Sequence, residues 1–524
     1  MPKRPFPFKL LPVTKSPDPG IVRIKTEQNV FGLLKTLVVV LLIALQLALL
    51  IFLYLRLVEA FGAYLVLSLV LSIVTALDIL SSEQSASTKA VWVFVVLILF
   101  VVGFIIYYMS DRRVFFAAPK RRYRKIFRRA ESYAMAGAAP PSADARAEED
   151  RAYLQKTGNF PAFAGTDARY FPSGGLLFDD ILARLRTAEK FIFIEYFCIA
   201  DGALLERILG VLFERAAAGV DVRIIYDDMG SHSTLRRKTK RLIRQKGVRL
   251  LAFNKMVPSL NIGLNFRDHR KIVVIDGETA YTGGANLADE YVNERRMYGY
   301  WKDAGIRLDG RAVDGFTMIF LRQWEFLSEE EEDYAPFLNL APARENAAAF
   351  VPYACGLDFD DAIGRELYLN VIAKAQRRLL IMTPYLVPDD ALMNMLVNKA
   401  ESGVDVRLIL PGVPDKAVVY RLTLKNGERL AGRGVKVYCM KHSFVHSKLM
   451  LADYCAVVGS INMDMRSFYE QFESAVYTDD AAVLRQIEAD FGSAFAECEP
   501  IAARRRSPLG RLFDMILRVF APLM

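Results

Sequence analysis

The stretch His446-Ser-Lys448-Leu-Met-Leu-Ala-Asp453, followed by Gly459-Ser-Ile-Asn462, decides how the rest of the chain is interpreted. The same pattern occurs earlier, as His269-Arg-Lys271-Ile-Val-Val-Ile-Asp276 followed by Gly283-Gly-Ala-Asn286. In both copies His-x-Lys precedes four residues and an Asp, and a glycine-led turn then ends in Asn. The chain has four histidines, and two of them lie in this pattern. Repetition with the same internal spacing indicates a duplicated unit in which both histidines have a function.

The segments around the two motifs repeat as well. Ala218-Gly-Val-Asp-Val-Arg-Ile-Ile225 parallels Ser402-Gly-Val-Asp-Val-Arg-Leu-Ile409. Short apolar strands alternate with helical patterns in both regions, which predicts an α/β fold. We therefore expect one fold to occur twice, at residues 153–327 and 350–499, with an acidic connector at 328–349. One half-site in each copy should then meet its counterpart at a pseudo-twofold interface.

Composition and hydropathy indicate a membrane protein. The chain has 524 residues, a hydrophobic fraction of 53% and a net charge of +9. Apolar runs at 37–55, 61–80 and 90–109 approach the roughly 20 residues that cross a hydrocarbon core. The N-terminal part is expected to hold a basic arm at 1–36, two or three transmembrane helices within 37–109, and a basic juxtamembrane segment with a linker at 110–152.

Basic charge is concentrated next to the apolar runs. Nine Lys or Arg residues and no acidic residue lie between Arg112 and Arg129. The positive-inside rule places this segment, and the domain after it, in the cytoplasm. The cluster either serves topology alone or also binds anionic lipid headgroups. Residues 500–524 form a basic amphipathic pattern, which fits either an interfacial membrane helix or a helix packed on the preceding domain.

The doubled motif predicts a phosphate site. His-x-Lys on a strand points both side chains to one face, because strand side chains alternate. Two such motifs bring together two imidazoles, two ammonium groups and two amides, a set that fits the charge of a phosphoryl transition state. One imidazole can attack phosphorus and form a phosphohistidine, while the other acts as general acid and base. The predicted catalytic set is His269, Lys271, Asp276, His446, Lys448 and Asp453, with Asn286, Asn462 and Ser460 binding phosphate.

Each histidine needs a partner that fixes its tautomer. Asp303 and Glu473 are acidic at matching positions of the repeat, and we expect them to orient the histidines. Asp276 and Asp453 lie further along their strands, so a structural role is the alternative for them. No metal or other cofactor is expected, because the lysines supply the positive charge. The five scattered cysteines include no CxxC pair, which also argues against a zinc site.

Five further residues are weaker candidates for the site. His232 could contact the headgroup or belong to a surface loop, and His442 could line the entrance. Glu195 and Tyr196, at the end of a predicted strand, and Tyr385, in the matching position, are candidates for the pocket rim.

The two His-x-Lys-x4-Asp motifs resemble those of the phospholipase D superfamily, over about residues 155–500. The stretches Gly459-Ser-Ile-Asn-Met-Asp-Met-Arg-Ser-Phe468 and Gly283-Gly-Ala-Asn-Leu-Ala-Asp-Glu-Tyr291 resemble bacterial cardiolipin synthases more narrowly. The resemblance implies a duplicated phospholipase D-type fold, with two mixed sheets and flanking helices about a pseudo-twofold axis, preceded by transmembrane helices. Gln471 departs from the pattern, because the family usually has Asn there.

The resemblance also implies a metal-independent, ping-pong transfer. A phosphatidyl group would pass from one phosphatidylglycerol to a histidine, releasing glycerol, and then to a second phosphatidylglycerol. His269 would be the nucleophile and His446 the acid and base. The implied partners are phosphatidylglycerol and anionic membrane lipids, at the plasma membrane, in a multi-pass protein whose catalytic domain is cytoplasmic; the oligomeric state stays open.

Four other functions are alternatives for this sequence. A phospholipase D would use water as acceptor, and a related transferase would use serine or another alcohol. A nuclease of the superfamily would use the basic charge for nucleic acid, but the apolar spans argue against a nucleic-acid partner. A membrane-bound scaffold without activity would have no reason to keep both His, both Lys and both Asn.

Overall fold

The computed structural model describes residues 37–52, 54, 58–82, 86–110, 117–133, 135–255, 266–356, 359, 362–502 and 507–521. The predicted basic arm at 1–36 lies outside these ranges. The chain divides into two compact units, Met1–Val66 and Leu67–Met524. Both predicted halves of the duplicated fold lie within the second unit.

Apolar helices form the N-terminal part of the described chain. They are α1 (Leu37–Phe52), α2 (Val58–Ser81) and α3 (Ala86–Ser110). Within α2 and α3, Gly62–Ser81 and Thr88–Tyr108 have mean hydropathies of 2.3 and 3.0 and are long enough to cross a membrane. Helix α1 is apolar but shorter, so two of the two or three expected spans reach full length.

The first half forms a seven-stranded mixed sheet in the order β1-β9-β7-β6-β2-β3-β4. Strands β2, β3 and β4 are parallel, and the remaining neighbours are antiparallel. The strands up to the end of this half are β1 (Thr166–Phe171), β2 (Phe191–Tyr196), β3 (Asp221–Asp227), β4 (Arg249–Phe253), β5 (Arg267–Asp268), β6 (Lys271–Ile275), β7 (Thr279–Gly283), β8 (Tyr300–Lys302) and β9 (Gly305–Gly310).

The second half repeats this order as β10-β19-β17-β16-β11-β13-β14, with β20 added at the edge. The match of the two strand orders confirms the predicted duplicated α/β fold with two mixed sheets. The remaining strands are β10 (Phe350–Cys355), β11 (Arg378–Met382), β12 (Leu386–Val387), β13 (Asp405–Pro411), β14 (Lys436–Met440), β15 (Ser443–Val445), β16 (Leu449–Ala452), β17 (Ala456–Gly459), β18 (Met463–Asp464), β19 (Gln471–Thr478) and β20 (Cys498–Pro500).

Helices flank both sheets, and several begin at a side chain that accepts a backbone N–H. Ser173, Asp389 and Asp480 each accept from the residue three positions later, which satisfies one of the donors left open at a helix start. The helices are α4 (Ala117–Ala130), α5 (Ala145–Gly158), α6 (Gly174–Leu185), α7 (Ala203–Ala217), α8 (Arg237–Gln245), α9 (Val313–Ser328), α10 (Ile363–Lys374), α11 (Asp390–Glu401), α12 (Ala417–Ala431), α13 (Met465–Tyr469), α14 (Ala481–Ala496) and α15 (Pro508–Phe520).

The two faces of the first sheet pack into different cores. Strand β2 alternates so that Phe191 and Phe193 join a core that continues into the second half, whereas Ile192 and Ile194 join a separate core. This division follows from the two-residue period of a strand. Helix α9 lies on the shared side, where Phe320 stacks on Phe193 with ring centroids 4.6 Å apart. The shared core fixes the position of one half against the other.

The structure differs from the sequence prediction within the expected linker. Residues 145–158 form helix α5, which packs against α10 and β10 of the second half. Asp150 of α5 is fully buried and accepts from Lys374 Nζ and Tyr454 Oη, each at 2.7 Å. The alanine and mixed charge that suggested a linker therefore form a helix held by buried polar contacts.

Part of the basic cluster also has a partner within the fold. Helix α4 pairs with the acidic connector, with Arg122 Nη1 at 3.2 Å from Glu329 Oε1 and Arg129 Nη1 at 3.4 Å from Glu331 Oε1. These ion pairs neutralise part of the charge that was expected from the sequence to serve membrane topology or to bind anionic lipid headgroups. Arg121, Lys125 and Arg128 are exposed on the same helix.

The C-terminal helix α15 is both packed and exposed. Arg421 Nε of α12 donates to Asp514 Oδ1 at 2.5 Å, and Leu517 packs against Val387 and Leu422. The remaining apolar side chains of this helix face outward, among them Leu509 (79% exposed) and Met515 (60%). One face of the helix therefore packs on the preceding domain, and the membrane alternative stays a prediction for its outward face.

Candidate active site

The strand that leads to each histidine pairs with a strand of the other half. Strand β5 runs parallel to the start of β19, and β15 runs parallel to β8. The pairing continues into the motifs, because His269 N donates to Phe472 O at 2.8 Å and His446 N donates to Lys302 O at 2.7 Å. Each histidine is therefore positioned by backbone from the opposite half.

The predicted acids complete the exchange. His269 Nδ1 lies 2.9 Å from Glu473 Oε2 and 3.0 Å from Oε1, and His446 Nδ1 lies 2.7 Å from Asp303 Oδ2. Both acids are fully buried. Phe472 and Lys302 directly precede them, so one short segment supplies both the backbone and the carboxylate contact. A carboxylate that accepts from Nδ1–H leaves the lone pair on Nε2, the atom that can attack or accept a proton.

Hydroxyl groups hold the Glu473 carboxylate. Ser460 Oγ donates to Oε2 and Ser467 Oγ donates to Oε1, each at 2.5 Å. Ser460 thus contacts the orienting acid, a contact that differs from the phosphate contact expected from the sequence. Ser467 was missed, and its place in the Asn-Met-Asp-Met-Arg-Ser stretch was the available signal. Asp303 instead accepts from Ala304 N at 2.8 Å.

Both motif lysines are buried beside the histidines. Lys271 Nζ donates to His269 O at 2.5 Å, and Lys448 Nζ lies 2.9 Å from His446 Nδ1. Burial lowers the pKa of Lys271 to about 8 and that of Lys448 to about 7, although nearby carboxylates, including Glu473 and Asp303, oppose the shift. An anion would relieve this cost, because it would compensate ammonium groups removed from water.

The two asparagines lie in the same region with different partners. Asn286 Nδ2 donates to Tyr291 Oη at 2.7 Å, and its Oδ1 accepts from Cys198 N at 3.3 Å. Asn462 N donates to Ser467 Oγ at 2.9 Å, while its buried Oδ1 has no hydrogen-bond partner in the described part of the chain. Asn286 is thus linked to His446 through Tyr291, whose ring contacts the imidazole, and Asn462 is linked through Ser467 to Glu473.

The two histidine–acid pairs differ electrostatically. Burial and then the motif lysines lower the pKa of His269 well below its usual value, and burial and Lys448 lower that of His446 to about 3. Burial raises the pKa of Glu473 to about 7. Burial acts in the same direction on Asp303, but His446 and Lys448 outweigh it and hold the pKa of Asp303 below its usual value. Asp303 is therefore the more firmly ionised of the two acids.

The aspartates of the two motifs lie away from the histidines. Asp276 accepts from the backbone N–H groups of Glu189, Lys190 and Phe191, at the start of β2, whereas Lys271 pairs with the other end of that strand. Five strand residues separate the two ends by roughly 16 Å. The expectation of a catalytic position is therefore corrected: Asp276 stabilises the turn into β2.

Asp453 has the equivalent position in the second half. It accepts from the N–H groups of Gln376 and Arg377 at 3.0 and 3.2 Å and from Arg146 Nη1 at 2.5 Å. These contacts stabilise the turn into β11 and attach helix α5. The structure thus supports the structural alternative for both motif aspartates.

The weaker candidates lie outside the histidine contacts. His232 and His442 are exposed, and His442 has a left-handed backbone with φ of 53°. Glu195 is fully buried, with Oε1 3.8 Å from Arg270 Nη1. Tyr196 lies in the core on one face of the first sheet, and Tyr385 donates to Asp415. Across the described residues, His, Cys, Asp and Glu form no group of three or more that could hold a metal ion.

The fold and the paired half-sites define a phospholipase D-like protein. A phosphatidylserine synthase structure from Haemophilus influenzae superposes with a TM-score of 0.56, covering 72% of this chain and 98% of that one at 14% identity. The family model described as cardiolipin synthase, PLD-like domain matches residues 181–298 and 368–495, and a phospholipase D-nuclease N-terminal model matches 70–110.

Relatives give the narrower family. A probable cardiolipin synthase of Bacillus subtilis is 30% identical over 465 residues, which cover 85% of this chain and 90% of that protein. A cardiolipin synthase of Staphylococcus aureus is 35% identical over 64% of this chain and 68% of that protein. The chain belongs to the cardiolipin synthase family of the phospholipase D superfamily. It is a membrane protein and a phosphatidyltransferase, and the predicted family is confirmed.

Two variants distinguish an acid that orients a histidine from an acid that stabilises a turn. Asp303→Asn removes the anion that orients His446, and we expect phosphatidyl transfer to fall by at least about 100-fold, within the range attributed to general acid–base catalysis. Asp276→Ala removes three backbone contacts and should destabilise the protein by about 1–3 kcal/mol while transfer stays within a few-fold of wild type.

Initial rates on lipid vesicles and urea unfolding in detergent measure the two effects. The prediction fails if Asp276→Ala loses transfer as severely as Asp303→Asn while it remains folded.

Proposed function

We propose that this protein is a cardiolipin synthase, which transfers a phosphatidyl group from one phosphatidylglycerol to another. The observation that carries the proposal is the pair of histidine–acid contacts formed across the two halves beside two buried lysines. Two independently oriented imidazoles suit a reaction with two successive transfers at phosphorus. The buried lysines supply the positive charge that a phosphodiester requires.

His269 is proposed as the nucleophile. A nucleophile must be neutral when it attacks, and the neighbouring motif lysines together with burial favour neutral His269. Its acid, Glu473, shares its charge among His269, Ser460 and Ser467, which weakens its support for an imidazolium. The contacts therefore favour attack by His269 Nε2.

His446 is proposed as the general acid and base. Firmly ionised Asp303 lies 2.7 Å from His446 Nδ1 and opposes the fall in the pKa of His446, so it stabilises the imidazolium that this role requires. In the first step His269 Nε2 forms a bond to phosphorus, the bond to the glycerol oxygen breaks, and His446 donates a proton to glycerol. In the second step His446 takes the proton of the acceptor hydroxyl, whose oxygen displaces His269 from phosphorus.

The acceptor distinguishes this proposal from its alternatives. Water in the second step would give phosphatidic acid, and serine or another alcohol would give a different phospholipid. The relatives named above as cardiolipin synthases support phosphatidylglycerol as acceptor. The two apolar helices favour a lipid over a nucleic-acid substrate, because they hold the domain at a membrane.

Vesicles of phosphatidylglycerol with the purified full-length protein test the reaction. We expect cardiolipin and glycerol in equal amounts, with the same rate in EDTA because no metal takes part. Phosphatidic acid as sole product would identify a hydrolase. Absence of lipid turnover combined with cleavage of DNA would contradict both lipid activities.

The histidine assignment has its own test. Acid-free quenching of the enzyme with phosphatidylglycerol labelled at phosphorus should leave the label on His269, located by peptide mapping. His269→Ala should leave no labelled peptide. Ser443→Ala, at an uncharged residue of β15, should retain the label on His269. Label on His446 in the wild type would reverse the two roles.

We also propose that the catalytic halves face the cytoplasm at the plasma membrane. The exposed Arg121, Lys125 and Arg128 of α4 directly follow the membrane helices, and positive charge of this kind remains on the cytoplasmic side. The outward apolar side chains of α15 fit insertion into the same membrane surface. Protease should cleave the catalytic halves in everted but not in right-side-out vesicles; the reverse pattern would place them outside.

A further inference from the structure

Arg267 is a buried cation with unused hydrogen-bonding capacity. It lies on β5, two residues before His269, and is 1% exposed. Its Nη1 donates to Asn254 O at 3.2 Å, but its buried Nε and Nη2 have no hydrogen-bond partner among the described residues. Burying guanidinium N–H groups without partners is costly. An acceptor that binds these N–H groups during the reaction would explain why the buried side chain of Arg267 keeps N–H groups without a partner.

The nearest acid compensates this charge from one side of the guanidinium only. Asp227 Oδ1 lies 3.5 Å from Arg267 Nη1. That carboxylate already accepts from the N–H groups of Met229, Gly230 and Asp268 at 2.9–3.0 Å. Burial raises the pKa of Asp227 to about 7, although the charge of Arg267 opposes this shift. Asp227 therefore fixes the loop after β3 and leaves Nε and Nη2 of Arg267 buried without a hydrogen-bond partner among the described residues.

A second guanidinium approaches from the other half. Arg466 lies on α13, next to Ser467 and its contact with Glu473, and its buried Nε also has no partner in the described structure. The pairing of β5 with β19 sets Arg267 opposite Gln471. Gln471 begins β19 just after helix α13, which bears Arg466. Burial is the main cause that lowers the pKa of Arg267 and of His269, and the charge of Arg466 adds to the shift of each. Two guanidinium groups whose N–H groups lack hydrogen-bond partners, beside the proposed phosphate site, are suited to bind a second anion.

We propose that Arg267 and Arg466 bind the phosphodiester of the acceptor phospholipid, as a second phosphate site beside the one at His269 and His446. This inference rests on the proposed function, because only a phospholipid acceptor brings a second phosphate. The site lies at the carboxyl ends of β3 and β4, where Asp227 ends β3 and Asn254 follows β4. Such strand ends are where α/β sheets hold their ligands. A three-carbon glycerol bridge would link the two phosphates in the product.

The site explains the choice of acceptor. Water and glycerol have no phosphate and gain nothing from Arg267 and Arg466. A second phosphatidylglycerol gains charge-assisted hydrogen bonds that position its free hydroxyl towards the phosphohistidine. The two arginines thus act as specificity determinants for the second transfer.

The experiment compares two acceptors in one reaction. Phosphatidylglycerol vesicles receive radiolabelled glycerol, which forms labelled phosphatidylglycerol by exchange, while the unlabelled lipid acceptor forms cardiolipin. We expect Arg466→Gln to lower the ratio of cardiolipin to labelled phosphatidylglycerol at least tenfold. Arg466→Lys, which keeps the charge without the planar fork of donors, should give an intermediate ratio. Arg485→Gln, at an exposed arginine of α14, is the matched control and should keep the wild-type ratio.

Arg267→Lys provides a second variant and should lower the same ratio. Thermal unfolding in detergent shows that each variant compared is folded. A ratio within twofold of wild type in folded Arg466→Gln, or a proportional loss of both products, would overturn the acceptor site. A wild-type enzyme that forms labelled phosphatidylglycerol or phosphatidic acid without cardiolipin would instead defeat the proposed function.

Discussion

The hydrogen bond from each motif histidine to an acid of the opposite half is the constraint on which the candidate site depends. Asp303 of the first half faces His446, and Glu473 of the second half faces His269. Neither half contains both a motif histidine and the acid that orients it. The shared core, the pairing of β5 with β19 and the pairing of β15 with β8 all maintain this exchange. A small displacement between the halves would separate both pairs together, so interface packing and catalysis are coupled.

Burial gives the site its electrostatic character. Two lysines and two histidines are withdrawn from water, which lowers the pKa of each. Such a pocket is costly when empty and favourable when it holds a phosphodiester, because the anion replaces lost hydration. The same reasoning extends to Arg267, whose open guanidinium edge lies beside the histidine motif. In the proposed reaction, protein side chains supply the positive charge that metal ions supply in many other phosphoryl-transfer sites.

The sequence predicted the duplicated sheets and both histidine–lysine pairs, because these features are local or repeat along the chain. It nominated Asp303 and Glu473 from matching positions but did not assign either acid to a histidine. That assignment depends on pairing between strands of two or three residues, which carries no local signal. Ser467 was missed for a similar reason, since a serine on a short helix acquires its contact with Glu473 only in the folded chain.

Two segments differ from the first expectation for physical reasons that the sequence does not show. The motif places Asp276 near Lys271 along the chain, but the extended strand β6 carries it to the opposite end of that strand. The segment at 145–158 lacks a strong apolar period, yet buried contacts of Asp150 with Lys374 and Tyr454 hold it as a helix. In both cases partners distant in sequence decide the outcome.

Helix α5 has a consequence for how the protein is made. It leaves the ribosome before any strand of the first half, but its partners, α10 and Tyr454, belong to the part synthesised last. A contact of such long sequence separation cannot form early and slows folding, because a large loop must close first. During synthesis the nascent chain would therefore leave α5 without these partners until the second half has been made. Native docking of α5 thus indicates that the second half has been synthesised and folded.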